Sequence, residues 1–139
     1  MNLPIRTAMI IDDDEDLCRL LTFALEKRKV HTMAIQSLPE AEQCLTYLKP
    51  TIIFLDNNFP DGLGINFIND IRMADEEIKI IMMTADPANW IKEKAIEQGV
   101  DYFLNKPFSM DMVYNVLDEL NFNNNTPFGL EKSRKIVPF

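Results

Sequence analysis

Aspartates at 12 and 13, an aspartate at 56, a threonine at 84 and a Lys-Pro pair at 106–107 all stand at the ends of short apolar runs, residues 8–11, 51–55, 78–83 and 102–104. Brought side by side, those ends would gather three carboxylates in one crevice. The carboxylates would repel each other, and one would take up a proton unless a hard divalent cation with a preference for oxygen offset the charge. Mg²⁺ suits two or three carboxylates and a carbonyl, because it demands near-octahedral oxygen ligands and keeps several waters. A carboxylate held ionised there could act as a nucleophile, with Mg²⁺ and Lys106 supplying positive charge to the group it attacks. Each residue also has an ordinary reading. Asp56 could cap the next helix, the acidic run from Asp12 to Asp16 could be a solvated helix start, Thr84 could be a strand residue, and Lys106 could be a solvated lysine before a turn.

The chemistry depends on elements that place these ends together. Residues 51–55 form an unbroken apolar or β-branched run, the pattern of a strand buried on both faces of a parallel sheet. Asp56 follows at once, and Asn57, Asn58, Pro60, Asp61, Gly62 and Gly64 carry the chain out of the sheet. Leu17, Leu20, Leu21, Ala24 and Leu25 make one helical stripe, with Lys27, Arg28 and Lys29 at its C-terminal dipole. Residues 30–35 alternate, as an edge strand does. Ser37 and Glu40 have capping-box spacing ahead of a helix with Ala41, Cys44, Leu45 and Leu48 on its apolar side, ended by Pro50. Ile65, Phe67, Ile68 and Ile71 mark a third helix. Asp86-Pro87 reads as the N-cap and first residue of a fourth, carrying Trp90, Ile91 and Ile96, with Gly99 at its C′ position. Ser109 caps a fifth, striped by Val113, Val116, Leu117 and Leu120. Five strand-helix units in alternation predict a parallel sheet covered on both faces by right-handed crossovers. In such sheets ligands bind beyond the carboxyl ends of the strands, which is where the aspartates fall.

Composition narrows the function. The 139 residues suffice for one domain, and 47% hydrophobic with 26% charged content is that of a globular chain. A formal net charge of −8 argues against a nucleic-acid-binding face and against direct nucleic-acid binding by this domain. Cys18 and Cys44 lack metal-ligand or CxxC spacing and read as small buried hydrophobes in a reducing, cytoplasmic setting. His31, the only histidine, has no second histidine or cysteine beside it and reads as a plain edge-strand residue. The eight methionines read as adaptable core. No run approaches the length of a membrane span, and the N-terminus lacks the pattern of a secretion signal.

Taken in order, Asp12-Asp13, Asp56, the FPDGLG segment after it, Thr84 and Lys106-Pro107 on five strand-helix units resemble the receiver domains of two-component response regulators, over about residues 5 to 121. The resemblance implies a flavodoxin-like, doubly wound α/β fold with a five-stranded parallel sheet of order 2-1-3-4-5 and helices on both faces. It further implies that Asp56 is the phosphoacceptor, that Asp12, Asp13, Asp56 and the backbone carbonyl of Asn58 hold Mg²⁺, and that Thr84 and Lys106 contact the phosphoryl group, with a cis bond at Lys106-Pro107. Thr84 and Phe103 would form the switch. Phe103 lacks the hydroxyl of a tyrosine, so it would work by packing and move the surface of the fourth helix, last strand and fifth helix. Asn58 and Asp86, two residues beyond Asp56 and Thr84, would border the phosphoryl group and tune self-dephosphorylation, an arrangement similar to that of the fast chemotaxis regulator. Phe59 replaces a more usual aliphatic residue, and Asn57 stands where an apolar residue is more usual.

The implied partners are a sensor histidine kinase or phosphotransfer protein upstream, and a downstream effector protein or a missing C-terminal output domain. A homodimer formed on phosphorylation is a further output. The implied activity is limited to self-phosphorylation from a donor and self-dephosphorylation, without other enzymatic function. Two rivals remain at this point: a phosphatase of the haloacid dehalogenase type, against which position 58 is Asn rather than Asp, and a degenerate receiver that only binds a partner. Residues 122–139 break the helical pattern and read as a tail or linker. Deletion after Asn123 is expected to leave the thermal midpoint nearly unchanged, and a large drop would show that the tail docks on the domain.

Overall fold

The computed structural model describes residues 6–85 and 88–122. Five parallel strands, β1 (Thr7–Ile11), β2 (His31–Ile35), β3 (Ile52–Asp56), β4 (Lys79–Thr84) and β5 (Tyr102–Asn105), form one sheet with β2 and β5 at its edges and β1, β3 and β4 between, the expected order 2-1-3-4-5. The connecting helices are α1 (Glu15–Lys27), α2 (Leu38–Leu45), α3 (Ile68–Ala74), α4 (Asn89–Glu97) and α5 (Met110–Glu119). This is the flavodoxin-like arrangement, and it brings all five strand C-termini to one rim.

Strand alternation separates two apolar layers. Met9, Ile11, Ile53, Leu55, Ile80, Met82 and Phe103 face the layer that receives Ala41, Cys44, Ile68, Ile71, Ile91 and Ala95 from α2, α3 and α4. Ala8, Ile10, Phe54, Ile81, Met83 and Leu104 face the other, which receives Cys18, Leu21 and Leu25 of α1 and Val113, Val116 and Leu117 of α5. All five residues of β3 are buried, whereas His31, Met33 and Ala34 of β2 are exposed, as an edge strand requires. Both cysteines are buried and free.

Local chemistry sets the helix starts. Asp14 accepts the Asp16 and Leu17 amides at 3.0 and 3.2 Å to cap α1, Ser37 accepts the Glu40 amide to cap α2, and Ser109 accepts the Met112 amide to cap α5. Gly99, with φ 90°, closes α4 in the left-handed region. At the rim opposite the carboxyl ends, the Arg72 guanidinium donates to the Glu76, Ile78 and Gly99 carbonyls and pairs with the wholly buried Asp101 at 3.1 Å. The same Asp101 oxygen accepts the Ile80 amide at 2.9 Å.

Several local expectations shift. Helix α2 ends at Leu45 rather than running to Pro50, because the Thr46 and Tyr47 amides turn back to Gln43 and Cys44 in tight three-residue bonds. The third helix opens with a 3₁₀ turn, Gly64–Phe67, before α3 proper. Helix α4 begins at Asn89 behind an extended Ala88, two residues later than the Asp86-Pro87 start expected, and both of those residues lie outside the described ones. Trp90 and Ile96 sit on the exposed side of α4, while Ile91 and Ala95 make its buried face. The methionines divide: Met9, Met82 and Met83 are core, but Met33, Met73 and Met112 are exposed. Packing continues to Phe122, which is buried between α1 and α5; residues 123–139 of the expected tail lie outside the described residues. None of the described helices is long and apolar enough to cross a membrane.

Candidate functional site

The site is made where β1, β3, β4 and β5 end. Asp12 follows Ile11 with its amide bonded to the Ile35 carbonyl at 3.0 Å, so the β1–β2 ladder runs one residue past the strand and fixes the side chain's origin. Its carboxylate is completely buried. One oxygen accepts the Asp14 amide at 2.9 Å and the other accepts the Lys106 ammonium at 2.8 Å. Asp13 is exposed beside it. Asp56 ends β3 and is buried, and its Oδ1 lies 3.1 Å from Lys106 Nζ. Carboxylate oxygens of Asp12, Asp13 and Asp56 all lie within 4.8 Å of one another.

Lys106 reaches both buried acids because β5 places it. Its amide donates to the Thr84 carbonyl at 2.9 Å, and the bond to Pro107 is cis, as the resemblance implied. Thr84 ends β4, is buried, and lies in register with Asn105. Phe103 is buried in the layer shared with Met82 and with Ile91 and Ala95 of α4, so its ring already occupies apolar space between sheet and helix. Asn58 is exposed and starts a two-stranded hairpin, Asn58–Phe59 against Gly62–Leu63. Asp86 lies outside the described residues. Of the residues singled out in the sequence, Asp12, Asp13, Asp56 and Lys106 are thus brought together, with Thr84 joined through the Lys106 backbone.

The electrostatics follow from burial. Removal from water, and then the charge of Asp12, push the Asp56 carboxyl above its ordinary range; Lys106 and a backbone hydrogen bond from Asn58 offset only part of this. Burial pulls the Lys106 ammonium down, but its hydrogen bond to Asp12 and the charges of Asp56 and Asp12 outweigh that, and its pKa is raised. Cys18, whose thiol donates to the Asp12 carbonyl at 3.4 Å, is pushed up to about 11 by burial and by the neighbouring acids, and is a poor nucleophile. Three carboxylates face one ammonium, an imbalance that a divalent cation with oxygen ligands would correct.

Two further residues shape the site. Asn57 is wholly buried, and its backbone carbonyl accepts the Gly64 amide at 2.7 Å while its side-chain oxygen accepts the Ile65 amide at 3.0 Å. Gly64 lies so close to the strand end that a Cβ there would sit 2.0 Å from the Asp56 carbonyl oxygen. In the sequence the only sign of Asn57's role is a polar residue directly behind a buried strand. Gly64 reads there as an ordinary turn former.

Comparisons with known proteins agree with this geometry. A family model described as the response regulator receiver domain matches residues 8–118. The KDP operon transcriptional regulatory protein KdpE of Escherichia coli (strain K12) is 31% identical over 102 residues, covering 73% of this chain and 45% of that protein. The DNA-binding response regulator MtrA of Mycobacterium tuberculosis (strain ATCC 25618 / H37Rv) is 29% identical over 120 residues, 86% of this chain and 52% of that protein. The chain therefore spans about half the length of these curated relatives. Among solved structures, a two-component response regulator from Clostridium difficile is 26% identical with a TM-score of 0.78, over 86% of this chain and 98% of that one.

Proposed function

Because the chain belongs to the response regulator receiver domain family, a family that signals through phosphorylation, we propose that Asp56 is its phosphoacceptor and that Mg²⁺ is held by Asp12, Asp13, Asp56 and the Asn58 carbonyl. The observation that carries this reading is the Lys106 ammonium lying between Asp12 at 2.8 Å and Asp56 at 3.1 Å, at the ends of three strands. The donor set fits a hard cation, since the three carboxylates bring oxygen atoms within reach of one another and leave negative charge that Lys106 alone does not balance. When bound, Mg²⁺ supplies positive charge to the oxygens of the transferring phosphoryl group.

The chain's own residues do the rest. An Asp56 oxygen forms the new bond to phosphorus as the donor's bond breaks; with a phosphohistidine donor this is the P–N bond, whose electron pair leaves with the imidazole nitrogen. Lys106, held charged by its two acids, stabilises the phosphoryl oxygens as negative charge moves onto them. The Thr84 hydroxyl then meets a new acceptor, and Phe103 shifts its packing against α4, moving the surface of α4, β5 and α5. A sensor histidine kinase or phosphotransfer protein is the upstream partner. The output is a downstream protein, a second copy of the domain, or an output domain beyond residues 5–121. Apart from taking and losing its own phosphoryl group, the domain performs no enzymatic reaction.

The test is incubation with acetyl phosphate and Mg²⁺ followed by intact mass. One phosphoryl group is expected, and none in excess chelator, because the uncompensated acids repel an incoming anionic donor. Equal labelling with and without the cation would overturn the metal role of Asp12 and Asp13.

The lifetime of the phosphoform is assigned to Asn58 and Asp86. Asn58 is exposed, and an amide there with a small carboxylate two positions after Thr84 in the sequence would leave room for a water to attack phosphorus in line, so the phosphoform is expected to be short-lived. With the donor removed, decay is expected to slow in the Asn58→Met, Asp86→Leu double variant. Equal decay in wild type and variant, both shown to be folded, would end this assignment.

A further inference from the structure

We infer that Asn57 is a positioning residue that couples cation binding at the acid cluster to the start of the third helix, an inference that rests on the metal site proposed above. The 3₁₀ turn Gly64–Phe67 that leads into α3 has no capping side chain of its own: Leu63 occupies the N-cap position and offers none. Its first two amides must still find acceptors, since helix starts leave such donors unpaired. Asn57 supplies both from the end of β3, Gly64 N–H through its backbone carbonyl at 2.7 Å and Ile65 N–H through its side-chain oxygen at 3.0 Å. Its own amide donates to the Met83 carbonyl at 3.1 Å, which carries the β3–β4 ladder one residue beyond Asp56. One residue therefore ties three things: the acceptor strand, its neighbour β4, and the helix start seven and eight positions later.

The hairpin of residues 58–63 is the loop closed by this tie. Asn58, whose backbone hydrogen-bonds the Asp56 carboxylate and whose carbonyl is the proposed fourth ligand, is the first residue of that loop and is bonded covalently to the tie. Packing alone does not account for an amide here. Asn57 is wholly buried and its Nδ2 finds no partner among the described residues, so an apolar side chain of similar size would avoid an orphaned donor. What the apolar residue would lose is the acceptor for Ile65. The side-chain oxygen is thus the group that the position needs, and what it sets is the path of the backbone that presents the Asn58 carbonyl.

The experiment reads metal affinity and local protection, not activity. Mn²⁺ is titrated calorimetrically into wild type and Asn57→Val, and amide hydrogen exchange at Gly64 and Ile65 is followed by NMR with and without Mg²⁺. Loss of a partner that orients a ligand weakens metal binding by about tenfold or more, so Asn57→Val is expected to bind Mn²⁺ about tenfold more weakly and to exchange the Ile65 amide faster, with Thr32 in β2 unchanged. By reciprocity, cation binding to the wild type is expected to slow exchange at Gly64 and Ile65. That second arm needs no variant and decides the matter if Asn57→Val does not fold. Asn57→Val binding Mn²⁺ as tightly as wild type, or wild-type exchange at these two amides indifferent to Mg²⁺, would overturn the inference while leaving the receiver reading intact. Wild type that binds no Mn²⁺ would overturn both.

Discussion

Asp56→Asn is expected to abolish phosphoryl incorporation completely while raising the thermal midpoint of the cation-free protein. Loss of labelling follows because the other acid paired with Lys106, Asp12, is completely buried with one oxygen on the Asp14 amide and the other on Lys106, and Asp13 stands exposed beside the site without a contact to Lys106 among the described ion pairs. The gain in stability follows from the same crowding. In the folded state the Asp56 charge is buried and faces Asp12, and one ammonium serves both; an amide of the same shape keeps an oxygen for Lys106 and removes the repulsion. Saturating Mg²⁺ should narrow or reverse the difference, since it stabilises whichever chain binds it better, by mass action, and the wild type offers it one more carboxylate. Mass spectrometry and thermal denaturation with and without chelator check both halves. Label persisting in the variant would place the acceptor elsewhere, and a lower midpoint in chelator would mean that the carboxylate contributes net attraction.

Gly64→Ala is expected to be severe although it adds one methyl group. The added carbon would stand 2.0 Å from the Asp56 carbonyl oxygen, 3.0 Å from its carbonyl carbon and 3.1 Å from the Asn57 Cα. These are backbone atoms at the end of a fully buried strand, so no flexible side chain can give way. Either the 3₁₀ turn moves off β3, breaking the Gly64 bond to Asn57, or the strand end moves and carries Asp56 away from Lys106. A loss of about 3 kcal/mol is expected, the upper part of the range for overpacking, together with a large fall in phosphorylation rate. Chemical denaturation and acetyl phosphate labelling of the same sample measure the two. A change of under about 1 kcal/mol with normal labelling, little beyond the scatter of surface substitutions, would show that the loop relaxes freely.

Much of this was open to reading in the sequence because it is written in short, local patterns. β1, β3 and β4 are apolar runs, interrupted in residues 78–83 by Lys79, with acid or threonine at one end. The alternation in residues 30–35 marks an edge strand, and Ser37 and Ser109 stand where caps belong. The cluster of Asp12, Asp13, Asp56 and Lys106 followed once the strands were placed in parallel, since parallel strands put all their carboxyl ends on one rim. What was not legible depends on contacts across a loop. The acceptor that Asn57 provides for Ile65 spans eight positions with no periodic signal. The constraint on Gly64 arises from closeness to a backbone whose place is known only after folding. Helix α2 ends early through backbone bonds that no side chain announces, and the exposure of Trp90 and Ile96 reflects which side of a short helix meets the sheet.

The Arg72 brace at the opposite rim has a mechanical meaning for the switch. It grips the Gly99 carbonyl at 2.7 Å, just beyond the last residue of α4, and Asp101 fastens the same segment to β4. The other end of α4 starts behind the extended Ala88, on the side of the rim that carries Asp56. If α4 moves in the proposed switch, it would turn as a lever about the Gly99 end. Its nine residues give an arm of about 13 Å at 1.5 Å per residue. In the proposed switch, a swing of about 10° would carry the Asn89 end through about 2 Å while the Gly99 end stays in place, so a small repacking at Phe103 would become the largest displacement near the exposed Trp90.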